Sequence, residues 1–180
     1  MTQTSLDTTG KIILDATCSY ARIYPKFATI RIDIRPQTKP DIVMDAKDLK
    51  FIDNYFDEIY CDPPHLLRKG PHKTEAQKRR LLGRKSPGFW ERYGYWESKD
   101  KWNDFIEKTN NEFYRVLKPN GLLYYKITES PIIEYDDFIT MMVNFKLIND
   151  LEQKSKSNLK WEKPKSKLVH FLTFMSKKQK

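Results

Sequence analysis

Short apolar runs, each ended or followed by an acidic residue, dominate the first third of the chain. The runs span residues 11–17, 29–34, 41–45 and 56–61, and they begin about 12–18 residues apart. Runs of this length, rich in β-branched residues, predict buried strands. Their spacing predicts parallel strands with abbreviated crossovers, because parallel neighbours need a connection that returns along the sheet. The acids at the ends of these runs are Asp15, Asp33, Asp45 and Asp62.

Helical periodicity replaces the short runs after the middle of the chain. Ser98 predicts an N-cap, and apolar residues follow it at helical spacing as far as Leu117, before a Lys-Pro-Asn-Gly segment at 118–121. A second helix is predicted to open at Ser130-Pro131, because proline is favoured in the first helical turn. Three further strands are predicted near residues 122–127, 146–152 and 167–175, the last two as an antiparallel hairpin.

Strands and helices in this order predict an α/β fold. We expect a Rossmann-like, doubly wound, mostly parallel seven-stranded sheet with a C-terminal antiparallel hairpin, in a single domain over residues 1–180. Residues 66–97 have no clear period and predict a long functional insertion. Ligands of such sheets bind beyond the carboxyl ends of the strands, so the four acidic strand ends are expected to gather at one edge.

Charge is unevenly distributed along the chain. The net charge is +9, but residues 1–62 carry 8 Lys and Arg against 10 Asp and Glu, and residues 63–180 carry 25 against 14. Such asymmetry predicts that the second part faces a polyanion. A membrane partner is not expected, because no stretch approaches the ~20 apolar residues of a membrane span. Two cysteines and a polar N-terminus favour the reducing cytoplasm.

The insertion concentrates this positive charge. Eight cations fall within 18 residues, namely Arg68, Lys69, Lys73, Lys78, Arg79, Arg80, Arg84 and Lys85. Five aromatic residues follow between 89 and 96, and cations beside stacking aromatics suit a splayed or single nucleic-acid strand. The alternative is a solvated helix over 75–82 beside aromatic residues that belong to the core. The sequence therefore predicts binding of DNA or RNA, with the solvated helix as the alternative.

The loop Asp62-Pro63-Pro64-His65 directly follows the fourth predicted strand. Neither proline can donate a backbone hydrogen bond and both restrict φ, so the loop is stiff and its carbonyl groups are available as acceptors. A carboxylate beside rigid carbonyl acceptors suits an exocyclic –NH2 group, which offers two donors. The four loop residues are therefore the candidate catalytic residues.

The other acidic strand ends suit a nucleotide-containing cofactor. Residues 15–19 (Asp-Ala-Thr-Cys-Ser) lie where a nucleotide-binding loop is expected, although they lack a Gly-x-Gly-x-x-Gly pattern. Asp33 can hold two ribose hydroxyls, and Asp45 can accept from an adenine amine. Any one of these acids alone is explained by a turn or cap. Their register with Asp62 favours a cofactor site. Cys61, His65 and His72 are too sparse to predict a metal site.

These motifs together resemble class I S-adenosylmethionine-dependent methyltransferases. The resemblance is strongest to small phage and prokaryotic enzymes with an Asp-Pro-Pro-His-Leu loop, which are related to DNA and RNA amino-methyltransferases. It rests first on residues 13–19 (Ile-Leu-Asp-Ala-Thr-Cys-Ser), 31–35 (Arg-Ile-Asp-Ile-Arg), 41–46 (Asp-Ile-Val-Met-Asp-Ala) and 56–66 (Phe-Asp-Glu-Ile-Tyr-Cys-Asp-Pro-Pro-His-Leu). It also rests on residues 66–70 (Leu-Leu-Arg-Lys-Gly), 89–94 (Phe-Trp-Glu-Arg-Tyr-Gly), 115–121 (Arg-Val-Leu-Lys-Pro-Asn-Gly) and 125–126 (Tyr-Lys). It covers about residues 11–175.

The resemblance implies roles for individual residues. It implies S-adenosylmethionine as cofactor, bound by Asp15, Ala16, Thr17 and Cys18 at its methionine part, by Asp33 beside Ile34 at its ribose, and by Asp45 and Ala46 at its adenine. The loop of residues 62–65 would hold the target amine. Two features depart from the family pattern: the first loop has no glycine, and the aromatic residue that follows the two prolines in related enzymes is replaced by His65.

We therefore expect a methyltransferase acting on an exocyclic amine of a nucleic-acid base, with adenine N6 favoured. A non-catalytic nucleic-acid-binding or scaffold subunit on the same fold is one alternative. A methyltransferase acting on a protein or a small molecule is another. No separate recognition domain is visible, which favours low sequence specificity, a partner subunit or a homodimer.

Overall fold

Seven strands and two α-helices make up the described part of the chain. The computed structural model describes residues 10–19, 28–65, 94–130, 133–155 and 167–178. The strands are β1 (Ile13–Asp15), β2 (Ile30–Asp33), β3 (Ile42–Val43), β4 (Phe56–Cys61), β5 (Leu117–Thr128), β6 (Phe145–Ser155) and β7 (Lys167–Ser176). The helices are α1 (Lys99–Val116) and α2 (Tyr135–Met141), with a short 3₁₀ helix at Pro36–Thr38.

The strands form one mixed sheet in the order β3-β2-β1-β4-β5-β7-β6. The first five strands pair in parallel, and β7 pairs antiparallel with both β5 and β6. The predicted Rossmann-like sheet and C-terminal antiparallel pair are therefore confirmed. From β1 the chain builds the sheet outward in one direction through β2 and β3, and then returns to add β4 and β5 on the other side of β1. In sheets of this kind, ligands usually bind in the crevice at the carboxyl ends of the strands where the direction changes.

Helix α1 begins and packs as the sequence predicts. The Ser98 hydroxyl accepts a hydrogen bond from the backbone N–H of Lys101, which satisfies a donor that the helix leaves unpaired. Its buried face includes Trp102, Ile106 and Phe113, which join the apolar core on one side of the sheet. Burying each such side chain stabilises the fold by roughly 1.5–3 kcal/mol.

Two elements begin about five residues from their predicted starts, and β3 is exposed, not buried as predicted, because it forms an edge of the sheet. Strand β5 begins at Leu117, not near residue 122, because Leu117 already pairs with Phe56 of β4. Helix α2 begins at Tyr135 and not at Ser130, because Ser130 and Ile133 exchange backbone hydrogen bonds with each other. Proline after serine is compatible with a helix start but does not impose one when the neighbouring backbone is paired otherwise.

The described helices include none that is long and apolar enough to span a membrane. The predicted nucleic-acid-binding cations, residues 68–85, lie outside the described residues. The basic insertion as a whole is described only from Gly94 onward.

Candidate active site

Two pockets meet at the carboxyl edge of the parallel strands. The first, here called the strand-end pocket, lies beyond β2 and β3 and has a volume of about 380 Å³. The second, here called the sheet-face trough, runs across β4, β5, β7 and β6 and has a volume of about 270 Å³. Both pockets are lined by Thr17, Ser19 and Asp62. The predicted gathering of acidic strand ends is confirmed, because all four acids line one pocket or the other.

The strand-end pocket contains most of the predicted cofactor residues. These are Ala16, Thr17, Asp33, Ile34, Asp45 and Ala46. Ile34 is a largely exposed apolar side chain, an unusual feature that is explained if a flat apolar group covers it. Asp45 accepts from the backbone N–H of Lys47 through Oδ1, at 2.9 Å. The pocket therefore offers both an apolar surface and a carboxylate, which together fit an adenine ring with an amine.

Asp33 is more fully hydrogen-bonded than the sequence suggests. The Arg35 side chain donates to both of its carboxylate oxygens, from Nε and Nη2, each at 2.9 Å. The backbone N–H groups of Ser19 and Arg35 donate as well, at 3.2 Å and 2.9 Å. A carboxylate has about four acceptor sites, so a ribose hydroxyl must displace one of these donors. The Arg35 guanidinium, on a long side chain, is the donor that can move away.

The β1 loop makes its turn without glycine. Ser19 adopts the left-handed conformation, with φ of 42°, which usually favours glycine. Asp15 is nearly fully buried, and this burial raises the pKa of its carboxyl to about 7. Asp15 and Cys18 line the sheet-face trough and not the strand-end pocket. The predicted methionine-binding residues are thus divided between the two pockets, and their role in binding methionine stays a prediction.

Asp62 lies where the two pockets meet. Its backbone N–H donates to the Thr17 hydroxyl at 2.7 Å, which ties the site loop to the β1 loop. Lys126 of β5 donates from Nζ to Asp62 Oδ2 at 2.7 Å. The other carboxylate oxygen, Oδ1, accepts no hydrogen bond within the described part of the chain. One oxygen is therefore held by a cation while the other remains available for a ligand.

The sequence profile of a family described as DNA methylase (N6_N4_Mtase) matches residues 56–180, which include the Asp62 loop and Lys126. The chain belongs to this DNA methylase family. The predicted class I methyltransferase identity, the enzymatic activity and the S-adenosylmethionine cofactor are thereby confirmed. No curated protein matches the methylase sequence significantly.

Solved methyltransferase structures share the fold of this methylase at low sequence identity. A SAM-dependent methyltransferase from Methanosarcina mazei is 13% identical, with a TM-score of 0.56 and 92% of each chain covered. NodS, an N-methyltransferase from Bradyrhizobium japonicum in complex with S-adenosyl-L-homocysteine, is 12% identical, with a TM-score of 0.57 over 93% of this chain and 79% of NodS. A TehB-like methyltransferase from Corynebacterium glutamicum is 18% identical, with a TM-score of 0.52 over 93% and 81%. These likenesses support the fold.

Two residues that the sequence analysis did not assign hold the site loop of the methylase in place. The indole N–H of Trp96 donates to the carbonyl of Pro64. Gly94 has φ of +72°, and a Cβ at this position would lie 2.7 Å from Cγ of Pro64. The Pro64 carbonyl is therefore already used by Trp96, and an acceptor role of the buried Pro63 beside Asp62 stays a prediction. The Tyr-Gly-x-Trp order of residues 93–96 was the available sequence signal.

His65 ends the described part of the site loop. It lines neither the strand-end pocket nor the sheet-face trough. Within the described ranges, no group of three or more His, Cys, Asp and Glu side chains, His65 and Cys61 included, is arranged to hold a metal ion. Stacking of His65 on a target base stays a prediction.

Trp96→Phe is expected to lower the rate of methyl transfer at saturating cofactor by up to about tenfold. The substitution keeps a ring against Trp102 and Phe105 but removes one hydrogen bond, which is worth about 0.5–1.5 kcal/mol. Trp102→Phe is the matched control, because it makes the same chemical change in the adjacent core. Turnover of the two folded variants is compared, and equal rates would remove the positioning role of Trp96.

Proposed function

We propose that this enzyme transfers a methyl group from S-adenosylmethionine to an exocyclic amine of a nucleic-acid base. The position of Asp62 carries the proposal, since it borders both pockets and keeps one carboxylate oxygen available. Adenine N6 is the first candidate acceptor, followed by cytosine N4 and guanine N2, in DNA or RNA. The family description, DNA methylase, supports an acceptor of this class.

The strand-end pocket would hold the adenosine part of the cofactor. Asp45 would accept from the adenine amine, Ile34 would cover the ring, and Asp33 would bind the ribose once Arg35 moves away. The methionine part would extend toward Thr17, beside Asp62. The bound cofactor supplies the electrophilic methyl group, and the protein supplies binding and orientation.

The site loop would orient the acceptor amine. Asp62 Oδ1 and the Pro63 carbonyl would each accept one N–H, which directs the nitrogen lone pair toward the methyl group. Alignment of this kind removes much of the entropic part of the barrier. Lys126 donates to Asp62 Oδ2 and so fixes the direction of the carboxylate, with Oδ1 left to accept from the amine. No proton has to leave the amine before attack, because the methylated nitrogen is the more acidic species and loses its proton afterwards.

The basic insertion would bind the nucleic-acid backbone. Replacing Lys78, Arg79 and Arg80 with Ala is expected to reduce the log–log salt slope of binding by roughly 2–3, because each phosphate contact contributes slightly less than one. The measurement is binding of single-stranded DNA and RNA between low and moderate salt. Cofactor affinity, measured by calorimetry on the same variant, should not change. An unaltered salt slope would assign these cations to a solvated surface.

A methyltransferase acting on a small molecule or a protein remains the alternative. One structural neighbour is described as a putative sarcosine dimethylglycine methyltransferase, from Galdieria sulphuraria, which shows that this fold is not restricted to nucleic acids. After Asp62 the chain holds 25 basic and 14 acidic residues, and this positive charge favours a polyanionic substrate, DNA or RNA, over a small molecule or a protein. The family match favours an enzyme over a non-catalytic scaffold subunit.

Mass spectrometry of nucleosides tests the proposed substrate. DNA and RNA are incubated separately with the enzyme and isotopically labelled cofactor, then digested. Labelled N6-methyladenine, N4-methylcytosine or N2-methylguanine would support the proposal and identify both base and polymer. Cofactor turnover without label in either polymer would contradict it.

The cellular setting is also a proposal. Cys18 and Cys61 are both buried thiols, which fits a reducing cytoplasm. A partner subunit or a homodimer would supply sequence recognition, which no described element visibly provides.

A further inference from the structure

The sheet-face trough is built from two rows of side chains that the strand register places side by side. One row crosses the sheet through Asp15, Tyr60, Tyr124, Thr173 and Asn149. The second row runs through Asp62, Lys126, Phe171 and Leu151, where Asp62 and Lys126 are joined by their ion pair. The trough therefore lies on the sheet itself, beside the site loop, on the face opposite α1 and α2.

The trough combines aromatic surface with a few polar groups. The rings of Tyr60 and Tyr124 stack at 4.4 Å with an interplanar angle of 15°. The Tyr60 hydroxyl donates to Glu58 at 3.3 Å, which fixes the orientation of the pair. Asn149 and Thr173 add an amide and a hydroxyl. Aromatic walls with a small number of polar groups are typical of sites for planar ligands.

We propose that the sheet-face trough receives the methyl-accepting base, which enters on the side of Asp62 opposite the cofactor pocket. This inference rests on the proposed function. Methyl transfer requires the amine and the cofactor methyl to approach within about 3–3.5 Å, so the acceptor must border the same residues as the cofactor. The trough meets this condition, since it shares Thr17, Ser19 and Asp62 with the strand-end pocket.

The size and polarity of the trough agree with a single base. Its volume of about 270 Å³ lies just below that of pockets for drug-sized ligands, roughly 300–1,000 Å³, and suits one small ring system. Asp15, with its pKa raised by burial to about 7, presents both donor and acceptor forms near neutral pH. Hydrogen-bond donors and acceptors on a base edge can pair with Asp15, Thr173 or Asn149, while Asp62 holds the amine.

Leu151→Glu tests the trough with little risk to folding. Leu151 lies on β6 and is 58% exposed, so its substitution should change stability little. It also lines the trough, where a carboxylate would repel the nucleic acid and remove an apolar contact with the base. Ile148→Glu is the matched control, because Ile148 lies on the same strand, is 47% exposed and does not line the trough. The two variants change the net charge equally.

The KM for the methyl-accepting polymer is expected to rise about tenfold more in Leu151→Glu than in Ile148→Glu, with kcat and cofactor affinity unchanged. A second variant, Phe171→Leu, keeps an apolar side chain but removes the ring, and should weaken acceptor binding by roughly five- to a hundredfold if the base stacks there. The polymer used is the single-stranded DNA or RNA that the wild-type enzyme labels.

Three outcomes overturn the inference. Equal KM values for the two glutamate variants, together with a wild-type KM for Phe171→Leu, would place the acceptor elsewhere while leaving the methyltransferase assignment intact. Binding of cofactor by the wild-type enzyme without transfer to DNA or RNA would overturn both the acceptor class and the trough assignment. A rise in KM accompanied by equal loss of cofactor affinity would show that the trough binds the cofactor.

Discussion

Asp62→Ala is expected to abolish methyl transfer while cofactor binding stays largely intact. In the proposed mechanism the carboxylate would contact the acceptor amine, which is present only in the ternary complex, and losing a positioned catalytic contact typically costs ~10²–10³ in rate. The variant also removes the contact between Lys126 Nζ and Asp62 Oδ2. The measurement is transfer of labelled methyl groups to the polymer, with cofactor affinity determined by calorimetry.

Asp57→Ala provides the control for this experiment. Asp57 lies on β4, the strand that Asp62 directly follows, and its side chain is 27% exposed against 26% for Asp62. It also pairs with a lysine of β5, Lys118, at 2.8 Å. Loss of a β4–β5 ion pair is therefore common to both variants, and only Asp62→Ala should lose activity in the folded state. Asp62→Asn should be milder than Asp62→Ala, because the amide oxygen can still accept. Wild-type rates in Asp62→Ala would show that the loop is only a structural turn.

Asp33→Ala is expected to weaken S-adenosylmethionine binding by about 1–3 kcal/mol, the range for a lost hydrogen bond to a charged group. Asp33 ends β2 and faces the strand-end pocket, where the ribose of the cofactor is proposed to lie. Calorimetric titration of the folded variant measures the effect directly. Unchanged affinity would remove Asp33 from the cofactor site.

Two further variants separate ribose binding from loop order, since Asp33 also holds Ser19 and Arg35. Arg35→Ala removes a donor that competes with the ribose, so its cofactor affinity should equal or exceed that of the wild type. Asp41→Ala removes a comparable contact, between Asp41 and the backbone N–H of Arg31, outside the pocket, and should leave affinity unchanged. Weakening in Arg35→Ala as large as in Asp33→Ala would mean that the pair orders the loop and does not bind ribose directly.

In the proposed reaction, Lys126 would lie near the amine nitrogen, which gains positive charge during methyl transfer. The amine would become cationic as the methyl group transfers, and Asp62, between this nitrogen and Lys126, would offset part of the positive charge with its single negative charge. The side chains of Lys126 and Asp62 are each about a quarter exposed, so solvent partly screens the attraction between them. The electrostatic contribution of this ion pair is therefore smaller than it would be for a fully buried pair. The pair therefore serves mainly to fix the direction of the Asp62 carboxylate.

The sequence alone determined the parts of this protein that depend on local pattern. Strand β4 has the predicted bounds, since it coincides with the predicted run of residues 56–61 and the loop with two prolines follows it directly. Helix α1 begins where Ser98 predicts, because its N-cap bond joins residues only three apart. The gathering of acidic strand ends also followed from the sequence, because it is a consequence of parallel strand direction.

Only the tertiary structure decided which distant groups complete the site. Lys126 reaches Asp62 across 64 residues of sequence, and Trp96 reaches Pro64 across 32. No local pattern encodes these contacts, because they depend on the order in which strands pair and on the register between β4 and β5. The same holds for the hydrogen bonds from Arg35 that occupy Asp33 and for the division of Asp15 and Ala16 between the two pockets. Residue types and spacing defined the chemistry available, while strand pairing decided which of those groups face one another.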